Sequence, residues 1–240
     1  MGLWTERTEL LLGTENINKL KQANILIVGM GGVGAYAAEQ IVRAGVGHLT
    51  IADGDTVQEN NINRQLSATT KTLALKKTEV LKQRYLEINP QLDLSIIEKY
   101  ITVDDIEKVV LQKSYDFVID AIDTLSPKIE LIRNCLKYKI PLVSSMGAGA
   151  KIDPAKVIVK DISKSYNDRL ALVVRKKLRK HKINKGFKVV FSTELANKDA
   201  IILVENEQNK RSTTGTISYM PAIFGLYCAA TAIKGIINEK

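Results

Sequence analysis

The stretch ILIVGMGGVGAYAAEQIV, which runs from Ile25 to Val42, joins an apolar run, a glycine-rich turn and an alanine-rich run. This order predicts a buried strand, a loop whose backbone amides approach phosphate oxygens, and a helix. The glycines follow the spacing G-x-G-x-x-G, and Asp53 closes the next apolar run, where a carboxylate can accept ribose hydroxyls. By itself the pattern favours an NAD-dependent dehydrogenase, and its plain alternative is a turn that only allows a helix to pack closely on a strand.

Apolar runs alternate with helical patterns over the first 150 residues, which predicts an α/β protein with a doubly wound, Rossmann-like and mostly parallel sheet. The runs are rich in Ile, Val and Leu, so helices are expected on both faces of the sheet. The predicted strands are 24–29, 48–53, 93–100, 117–123 and 141–147, and the predicted helices are 35–44, 73–86, 104–113 and 127–137.

The remainder of the chain is predicted to extend the same sheet. Two strand patterns, at 155–163 and 188–194, flank a basic helical pattern at 167–181. A polar segment at 205–215 is expected to be a mobile loop, and an apolar helix follows it. Because no linker composition separates these parts, residues 1–240 are predicted to form a single domain, with a nucleotide-binding core at 1–150 and a substrate-binding extension at 151–240.

The apolar segment from 212 to 233 carries no charge and is nearly as long as a membrane span. Pro221, Gly225 and several other small residues favour a buried helix that covers the sheet, and no second span accompanies it. Membrane association is therefore the less favoured alternative.

The chain has two cysteines, Cys135 and Cys228, and both lie in apolar segments without CxxC spacing. This usage argues against a structural zinc site and against a disulfide framework. The N-terminus carries charges where a secretory signal needs an apolar run. A cytoplasmic protein is expected.

Several charged residues are left unexplained by a nicotinamide cofactor. They follow the glycine turn along the chain and stand near the carboxyl ends of predicted strands, which border the ligand crevice of a doubly wound sheet. Two cations and a carboxylate among them, Arg64, Lys77 and Asp123, suit a triphosphate with Mg²⁺. Any one of them alone is equally well interpreted as a solvated surface charge.

The motifs GMGGVG, DGDTVQENNINRQ, LKKTEV, INP and DAID appear in this order within the first 150 residues. Together they resemble the E1-like adenylating enzymes of the ThiF/MoeB type. The segments RTELLLG, IPLVSSMGAGAKIDP and VVFSTE resemble one branch of that family, the tRNA threonylcarbamoyladenosine dehydratases. With these segments the resemblance extends over nearly the whole chain.

The resemblance implies a role for individual residues. Arg7 would enter the site of the partner subunit in a homodimer, and Asp123 would hold Mg²⁺. The implied catalytic set is Arg7, Arg64, Lys77 and Asp123. The implied ATP-binding set is Gly29, Gly31, Gly32, Gly34, Asp53, Asp55, Asn61, Arg64, Gln65 and Lys77. The cysteine tetrad that binds zinc in many relatives is absent, as it commonly is in this branch.

The implied reaction activates the carboxylate of N6-threonylcarbamoyladenosine at position 37 of tRNA as an adenylate, and the side chain then closes into a ring. Capture within one molecule needs no enzyme nucleophile, so Cys135 and Cys228 are predicted to be core residues. Two other classes stay open. One is an adenylating enzyme for a ubiquitin-like sulfur carrier, and the other is a tRNA- or membrane-associated binding module whose nucleotide site is vestigial. A sulfur-relay or cysteine-desulfurase protein is a further candidate partner in either case.

A basic segment from 169 to 188 holds nine Lys or Arg and no acidic residue, in a chain of formal net charge +9. Such a segment binds phosphate backbones without reading sequence. His181 is expected to be one more polar position within it. With the resemblance, this favours tRNA over a carrier protein, and the predicted tRNA-binding residues are Arg175, Lys176, Lys177, Arg179, Lys180 and Lys182.

Overall fold

The computed structural model describes residues 3–207 and 210–238, with the backbone alone at residue 3 and over 203–213. Its strands are β1 (Asn24–Val28), β2 (His48–Ala52), β3 (Asp93–Ile97), β4 (Phe117–Asp120), β5 (Leu142–Ser145), β6 (Val157–Asp161), β7 (Lys188–Ser192), β8 (Ile201–Glu207) and β9 (Lys210–Thr214). The first seven form one sheet in the order β3-β2-β1-β4-β5-β7-β6. Neighbours run parallel except β6 and β7, which are antiparallel, so the predicted doubly wound sheet with a C-terminal extension is confirmed.

The α-helices of the described residues are α1 (Glu6–Leu12), α2 (Thr14–Gln22), α3 (Gly34–Arg43), α4 (Lys77–Ile88), α5 (Val103–Leu111), α6 (Leu125–Lys137), α7 (Arg169–Arg179) and α8 (Tyr219–Asn238). The sequence patterns predicted all of them except α1 and α2. Helix α1 is seven residues long and its apolar residues, Leu10 to Leu12, are consecutive, so they show no helical period that could reveal it.

Helix α4 begins later than predicted, at Lys77 instead of residue 73. A bridge between Thr56 and Lys76 and a hydrogen bond from the Lys77 amide to the Asp55 carbonyl (3.1 Å) hold the preceding backbone in extended form. Ala74 has a positive φ of 64°, which also excludes a helix there. Tertiary pairing therefore sets where this helix starts.

Helices cover both faces of the sheet. One buried cluster includes residues of α2, α3, α4 and α8, and the other includes residues of α5, α6 and α7. The strand order changes direction between β1 and β4, and in doubly wound sheets ligands bind at the carboxyl ends of the strands at such a point. The carboxyl edge of β1 and β4 is thus where the fold places a ligand.

Helix α8 is the buried helix predicted for the apolar C-terminal segment. By length and composition it is apolar enough to cross a membrane, with a mean hydropathy of 1.5. One side of it is buried against the rest of the chain, through Met220, Phe224, Cys228 and Ala232. At Gly225 the backbone of α8 contacts the backbone at the start of α3 directly: a Cβ on Gly225 would lie 2.4 Å from the carbonyl oxygen of Val33.

The segment 205–215 was predicted to be a loop. Its described backbone instead belongs largely to β8 and β9, which form a two-stranded antiparallel sheet, while residues 208–209 lie outside the described residues. β8 begins with an apolar run at 201–204, but from residue 205 onward the hairpin is polar, and β9 lacks the apolar alternation that predicts a half-buried strand.

Glu39 of α3 joins α3 to α4, and these two helices begin at the glycine turn and at Lys77. The carboxylate of Glu39 is buried and accepts from Arg84 Nε (2.8 Å) and Arg43 Nε (2.9 Å). Burial raises the pKa of Glu39, but the hydrogen bonds from the two arginines outweigh it, and the pKa lies below its usual value. The charged form is therefore the stabilising one.

Glu39→Gln is expected to lower the free energy of unfolding by about 1.5–3 kcal/mol near neutral pH, the usual worth of hydrogen bonds to a charged group. Because the folded pKa is below the unfolded one, this difference is full above the unfolded pKa and is lost as pH falls through the folded pKa. Urea unfolding at neutral and acidic pH measures both effects. Glu15→Gln, which breaks the exposed pair with Lys19, is the control and should leave the free energy of unfolding close to that of the wild type, because solvent screens such pairs. Equal losses for the two variants would contradict the role of Glu39.

Candidate functional site

The glycine turn lies between β1 and α3. Gly29 has a φ of 92°, and a Cβ there would lie 2.6 Å from the carbonyl oxygen of Ala121, just after β4. A Cβ on Gly34 would lie 1.8 Å from the carbonyl oxygen of Gly29. These two glycines let the turn fold back on itself and against β4, while Gly31 faces Gln65 across the turn. The result is a tight turn at a helix N-terminus, which suits a phosphate.

Asp53, at the end of β2, is tied to the glycine turn. Its Oδ2 accepts a hydrogen bond from the Met30 amide (2.6 Å), and its Oδ1 accepts from the Asp55 amide (2.7 Å). Burial raises the pKa of Asp53, although Lys77 opposes the shift. Each carboxylate oxygen has a further lone pair, so the side chain that orders the turn can also accept a ribose hydroxyl.

Lys77 and Asp55 form an ion pair at the start of α4. The Lys77 Nζ lies 2.7 Å from Asp55 Oδ2, and the lysine side chain is 5% exposed. The Tyr100 hydroxyl donates a hydrogen bond to the Asp55 carboxylate, and this bond raises the pKa of Tyr100. The pair directs a buried cation toward the edge where β2 ends.

Arg64 lies over the glycine turn and faces Asp123. A Cβ on Gly32 would lie 3.5 Å from Arg64 Cγ. The guanidinium donates from Nη1 to the Asn60 carbonyl (2.6 Å). Burial lowers the pKa of Arg64, and the nearby Asp123 carboxylate opposes that shift. The structure therefore brings together a cation and a carboxylate that stand far apart in the chain.

Asn61 and Gln65 flank Arg64 in different ways. The buried Asn61 side chain accepts from the Gln58 amide (3.1 Å) and donates to Asn60 Oδ1 (2.8 Å), so it holds the shape of the turn. Gln65 Oε1 is buried and has no hydrogen-bond partner among the described residues. An unpaired buried acceptor beside Gly31 fits a site that receives a polar ligand.

The two acidic residues of the DAID motif have different surroundings. Asp120 is fully buried, and its Oδ2 accepts from Lys128 Nζ (2.7 Å) and Ser144 Oγ (2.5 Å). Asp123 is exposed at the carboxyl edge, opposite Arg64. Asp120 is thus a structural anchor, and Asp123 is the carboxylate that can reach a ligand.

Asp123 can hold a magnesium ion only if the phosphates of a bound nucleotide supply further oxygen atoms. Within residues 3–207 and 210–238, no three His, Cys, Asp or Glu side chains form a cluster that could hold a metal. Mg²⁺ in nucleotide enzymes is usually held by one or two carboxylates and by the phosphates of the substrate. One exposed carboxylate beside a phosphate-binding turn meets that requirement.

The sequence did not predict that two lysines would be buried. Lys128 is the partner of Asp120, and Lys151 Nζ lies 2.7 Å from Asp168 Oδ2 and 2.9 Å from the Gly147 carbonyl oxygen. The second pair joins the loop after β5 to the N-terminus of α7. The sequence signals that could have indicated their burial are the position of Lys128 in the first turn of an otherwise apolar helix face and that of Lys151 at the end of a glycine-rich loop.

Arg7 is not near this site within its own chain. Arg7 is exposed on α1. Thr5, two residues before it, contacts the end of α3, because a Cβ on Gly45 would lie 3.5 Å from Thr5 Cγ2. That end of α3 borders the amino edge of the sheet. The single chain therefore places Arg64, Lys77 and Asp123 at the carboxyl edge but leaves Arg7 apart.

The basic helix α7 starts at the site and leads away from it. Its N-cap residue Asp168 lies beside Gly147 at the carboxyl edge, and β7 starts soon after the helix at the opposite edge. Arg175 donates to Ser165. The other predicted tRNA-binding residues are exposed, namely Lys176, Lys177, Arg179, Lys180 and Lys182. A helix of this length spans about 16 Å, so they line one flank of the molecule.

Both cysteines are buried core residues. Burial raises the pKa of the Cys135 thiol to about 12, and burial also raises that of Cys228. Each lies in a different one of the two apolar clusters. Neither thiol is placed or ionised as a nucleophile would be.

A sheet with this switch point and a charged carboxyl edge defines a nucleotide-binding α/β protein. Residues 6–240 match the ThiF family, and the chain belongs to that family. This confirms the resemblance to E1-like enzymes and overturns the dehydrogenase interpretation of the glycine turn.

Known relatives cover nearly the whole chain. The tRNA threonylcarbamoyladenosine dehydratase of Bacillus subtilis (strain 168) is 37% identical over 240 residues, with 97% of this chain and 94% of the relative covered. The Escherichia coli (strain K12) dehydratase is 38% identical over 256 residues, with 98% and 95% covered. Crystal structures of the E. coli dehydratase with ATP and with AMP have TM-scores of 0.88 at 33% identity and cover 99% of this chain and 96% of that one. The narrower resemblance is thereby confirmed.

Proposed function

We propose that this chain is an ATP-dependent tRNA threonylcarbamoyladenosine dehydratase. The observation that carries the proposal is the set of charges around the glycine turn, in a chain similar to dehydratases over 97% of its length. Arg64 lies over the turn and faces Asp123, and Lys77 lies near Asp53, the carboxylate that holds the turn. Two cations at the turn suit a polyphosphate whose negative charge shifts during reaction.

The reaction balances as two transfers. The carboxylate of the modified nucleoside attacks the α-phosphorus of ATP, and pyrophosphate leaves. A nitrogen or oxygen of the carbamoyl group in the same side chain then attacks the activated carbonyl carbon, and the carbamoyl group gives up a proton to the solvent, while AMP leaves with the former carboxylate oxygen. The nucleoside loses one water in total. The second step is intramolecular, which removes the need for an enzyme nucleophile and fits the two buried thiols.

The residues of the chain have separate tasks in these steps. Asp53 holds the ribose and orders the glycine turn, while Arg64 and Lys77 stabilise the charge on the phosphates. Asp123 would hold Mg²⁺, which when bound neutralises charge on the leaving pyrophosphate. Asn61 and Gln65 shape and line the turn.

The test is an assay with purified protein, ATP, Mg²⁺ and tRNA that carries threonylcarbamoyladenosine. Mass spectrometry of the nucleosides should show the loss of one water, with one AMP and one pyrophosphate formed for each nucleoside converted. The reaction should proceed without any sulfur-relay or cysteine-desulfurase protein. No water loss, with AMP formed only after addition of a ubiquitin-like carrier protein, would support the sulfur-carrier alternative instead.

A cytoplasmic location remains part of the proposal.

The proposal includes a homodimer in which Arg7 acts in the partner's site. Leu10 and Leu11 of α1 are 81% and 82% exposed, and they share this short helix with Arg7. Exposed leucines on a surface helix favour a protein–protein contact. A contact made through α1 would carry Arg7 onto the neighbouring subunit.

Complementation tests this arrangement. Arg7→Ala and Lys77→Ala chains, each inactive alone, should regain about one quarter of wild-type activity when mixed equally, because half of the dimers are mixed and each has one intact site. A mixture of Lys77→Ala and Asp123→Ala chains is the control and should stay inactive, since both residues belong to the same site. Full activity of Arg7→Ala alone, or no recovery in the first mixture, would reject the role of Arg7.

The exposed lysines of α7 are proposed to bind tRNA phosphates. Lys176→Ala/Lys177→Ala should weaken tRNA binding and reduce the slope of log K against log salt by about 1 for each lysine–phosphate ion pair that the substitution removes. Binding titrations over a range of salt concentrations measure both quantities. Lys108→Ala/Lys234→Ala, at exposed positions on α5 and α8, should leave the slope unchanged. An equal change for both pairs would mean that only net charge matters.

A further inference from the structure

Tyr166 presents an aromatic ring at the carboxyl edge of the sheet. Its ring centroid lies 5.7 Å from that of Phe191, with the ring planes at 76°, which is an edge-to-face contact. Phe191 is fully buried in β7, whereas Tyr166 is 52% exposed. The contact fixes the tyrosine ring and leaves at least one of its faces open.

The segment around Tyr166 is held rigidly. Ser165 accepts hydrogen bonds from Arg175 of α7. Asn167 donates from Nδ2 to the Thr193 carbonyl oxygen (2.9 Å), just after β7. Asn167 also has a φ of 56°, in the left-handed region that is uncommon for residues other than glycine. Anchored segments with such backbone strain cluster at functional sites.

This segment belongs to the same edge as the adenylation site. Asp168, two residues after Tyr166, is paired with Lys151, and its carboxylate lies 3.6 Å from the Cβ position of Gly147 after β5. β5 lies between β4, which precedes Asp123, and β7. The ends of β4 and β7 are two strand spacings apart, which amounts to about 10 Å along the edge.

The proposed substrate matches this separation. Its carboxylate is joined to the adenine ring through a carbamoyl group and an amino acid, an extended reach of about 7 Å by analogy with two residues of backbone. A purine beside Tyr166 therefore places its carboxylate near Asp123 and Arg64. Lys164 and Arg169 are exposed on either side of Tyr166, where they can receive the phosphates that flank a nucleotide.

We propose that Tyr166 is the stacking platform for the adenine ring of the nucleoside whose carboxylate is activated, an inference that rests on the proposed function. Bases recognised in single-stranded loops are commonly stacked on aromatic side chains. Stacking orients the N6 substituent toward the phosphates, so Tyr166 is a substrate-positioning residue and takes no part in proton transfer.

The first experiment compares Tyr166→Ala, Tyr166→Phe and Tyr166→Trp. Tyr166→Ala should weaken binding of an anticodon stem-loop with threonylcarbamoyladenosine by about 5- to 100-fold, the range for one stacked base, and should raise KM for that stem-loop. Binding of ATP should be unchanged. The Phe and Trp variants should bind within about threefold of wild type, because stacking needs only the ring. Tyr138→Ala, a half-buried tyrosine where α6 ends, is the control and should bind as wild type does.

The second experiment identifies the base by a double-mutant cycle. In a stem-loop with an abasic position 37, Tyr166→Ala should weaken binding no further, whereas in a stem-loop with the neighbouring base removed it should retain its full effect. An equal effect of Tyr166→Ala on the intact and abasic-37 stem-loops would overturn the proposal, as would a loss for Tyr166→Phe as large as that for Tyr166→Ala.

The outcomes separate this inference from the proposed function. If the wild-type protein removes water from the nucleoside while Tyr166→Ala binds and turns over the stem-loop as wild type does, only the stacking role fails. If the wild-type protein shows no dehydration, the proposed function itself fails.

Discussion

Replacing Lys77 by methionine is expected to lower the rate of AMP formation by about 10²–10³-fold, the usual cost of losing one preorganised group that stabilises transition-state charge. The physical reason is the placement of the cation. Its side chain is nearly buried at the start of α4, and Asp55 directs it toward the carboxyl edge. Single-turnover measurements with saturating ATP and modified tRNA isolate this chemical step from binding.

Lys76→Met is the matched control for Lys77→Met. The neighbouring lysine is exposed, and its Nζ donates to the Gly54 carbonyl oxygen (3.3 Å). Lys76→Met should form AMP within about threefold of the wild-type rate, because the exposed Lys76 ammonium is not the buried cation that Asp55 directs. Thermal unfolding should show both variants folded. A Lys77→Met protein that forms AMP at the wild-type rate would refute the assignment of Lys77.

Gly34→Ala is expected to destabilise the protein by more than about 3 kcal/mol, at or above the usual cost of overpacking. Its new Cβ would stand 1.8 Å from the carbonyl oxygen of Gly29. No side-chain rotation relieves a contact between a Cβ and the backbone, so the glycine turn and α3 must move apart. Chemical denaturation measures the loss, and a fall in ATP affinity should accompany it.

Gly31→Ala is the comparison that isolates this steric effect. Its Cβ would lie 3.7 Å from Gln65 Nε2, which is ordinary contact, so its stability should change by less than about 1 kcal/mol. Similar stability losses for the two variants would show that the turn is generally intolerant of side chains, and the close approach at Gly34 would not be the cause.

The sequence predicted the elements whose signals are local. β1 and α3 follow from an apolar run, glycine spacing and an alanine-rich run, and the burial of Cys135 and Cys228 follows from the apolar segments around them. The hairpin of β8 and β9 and the helix α1 escaped because neither carries an apolar period. The late start of α4 escaped because a bridge from Thr56, distant in the chain, sets it.

The candidate site was predicted only in part, for the same reason. Family motifs supplied Arg64, Lys77 and Asp123; in the structure Arg64 faces Asp123, and Lys77 pairs with Asp55 beside Asp53. They did not reveal Lys128, whose charge is used inside the protein by Asp120. They also did not show that the basic helix leads away from the edge at which it starts.

What the sequence by itself determined is the order of β1 to β7 and of α3 to α8, the glycine turn and the identity of the charged groups, since these follow from periodicity and backbone constraint over a few residues. Tertiary structure alone decided which charges meet. The order β3-β2-β1-β4-β5-β7-β6 places the end of β5 between those of β4 and β7. It thereby brings Asp123 and Tyr166 to one edge, and leaves Arg7 at the other. Such contacts depend on which strands become neighbours, and no short stretch of sequence carries that information.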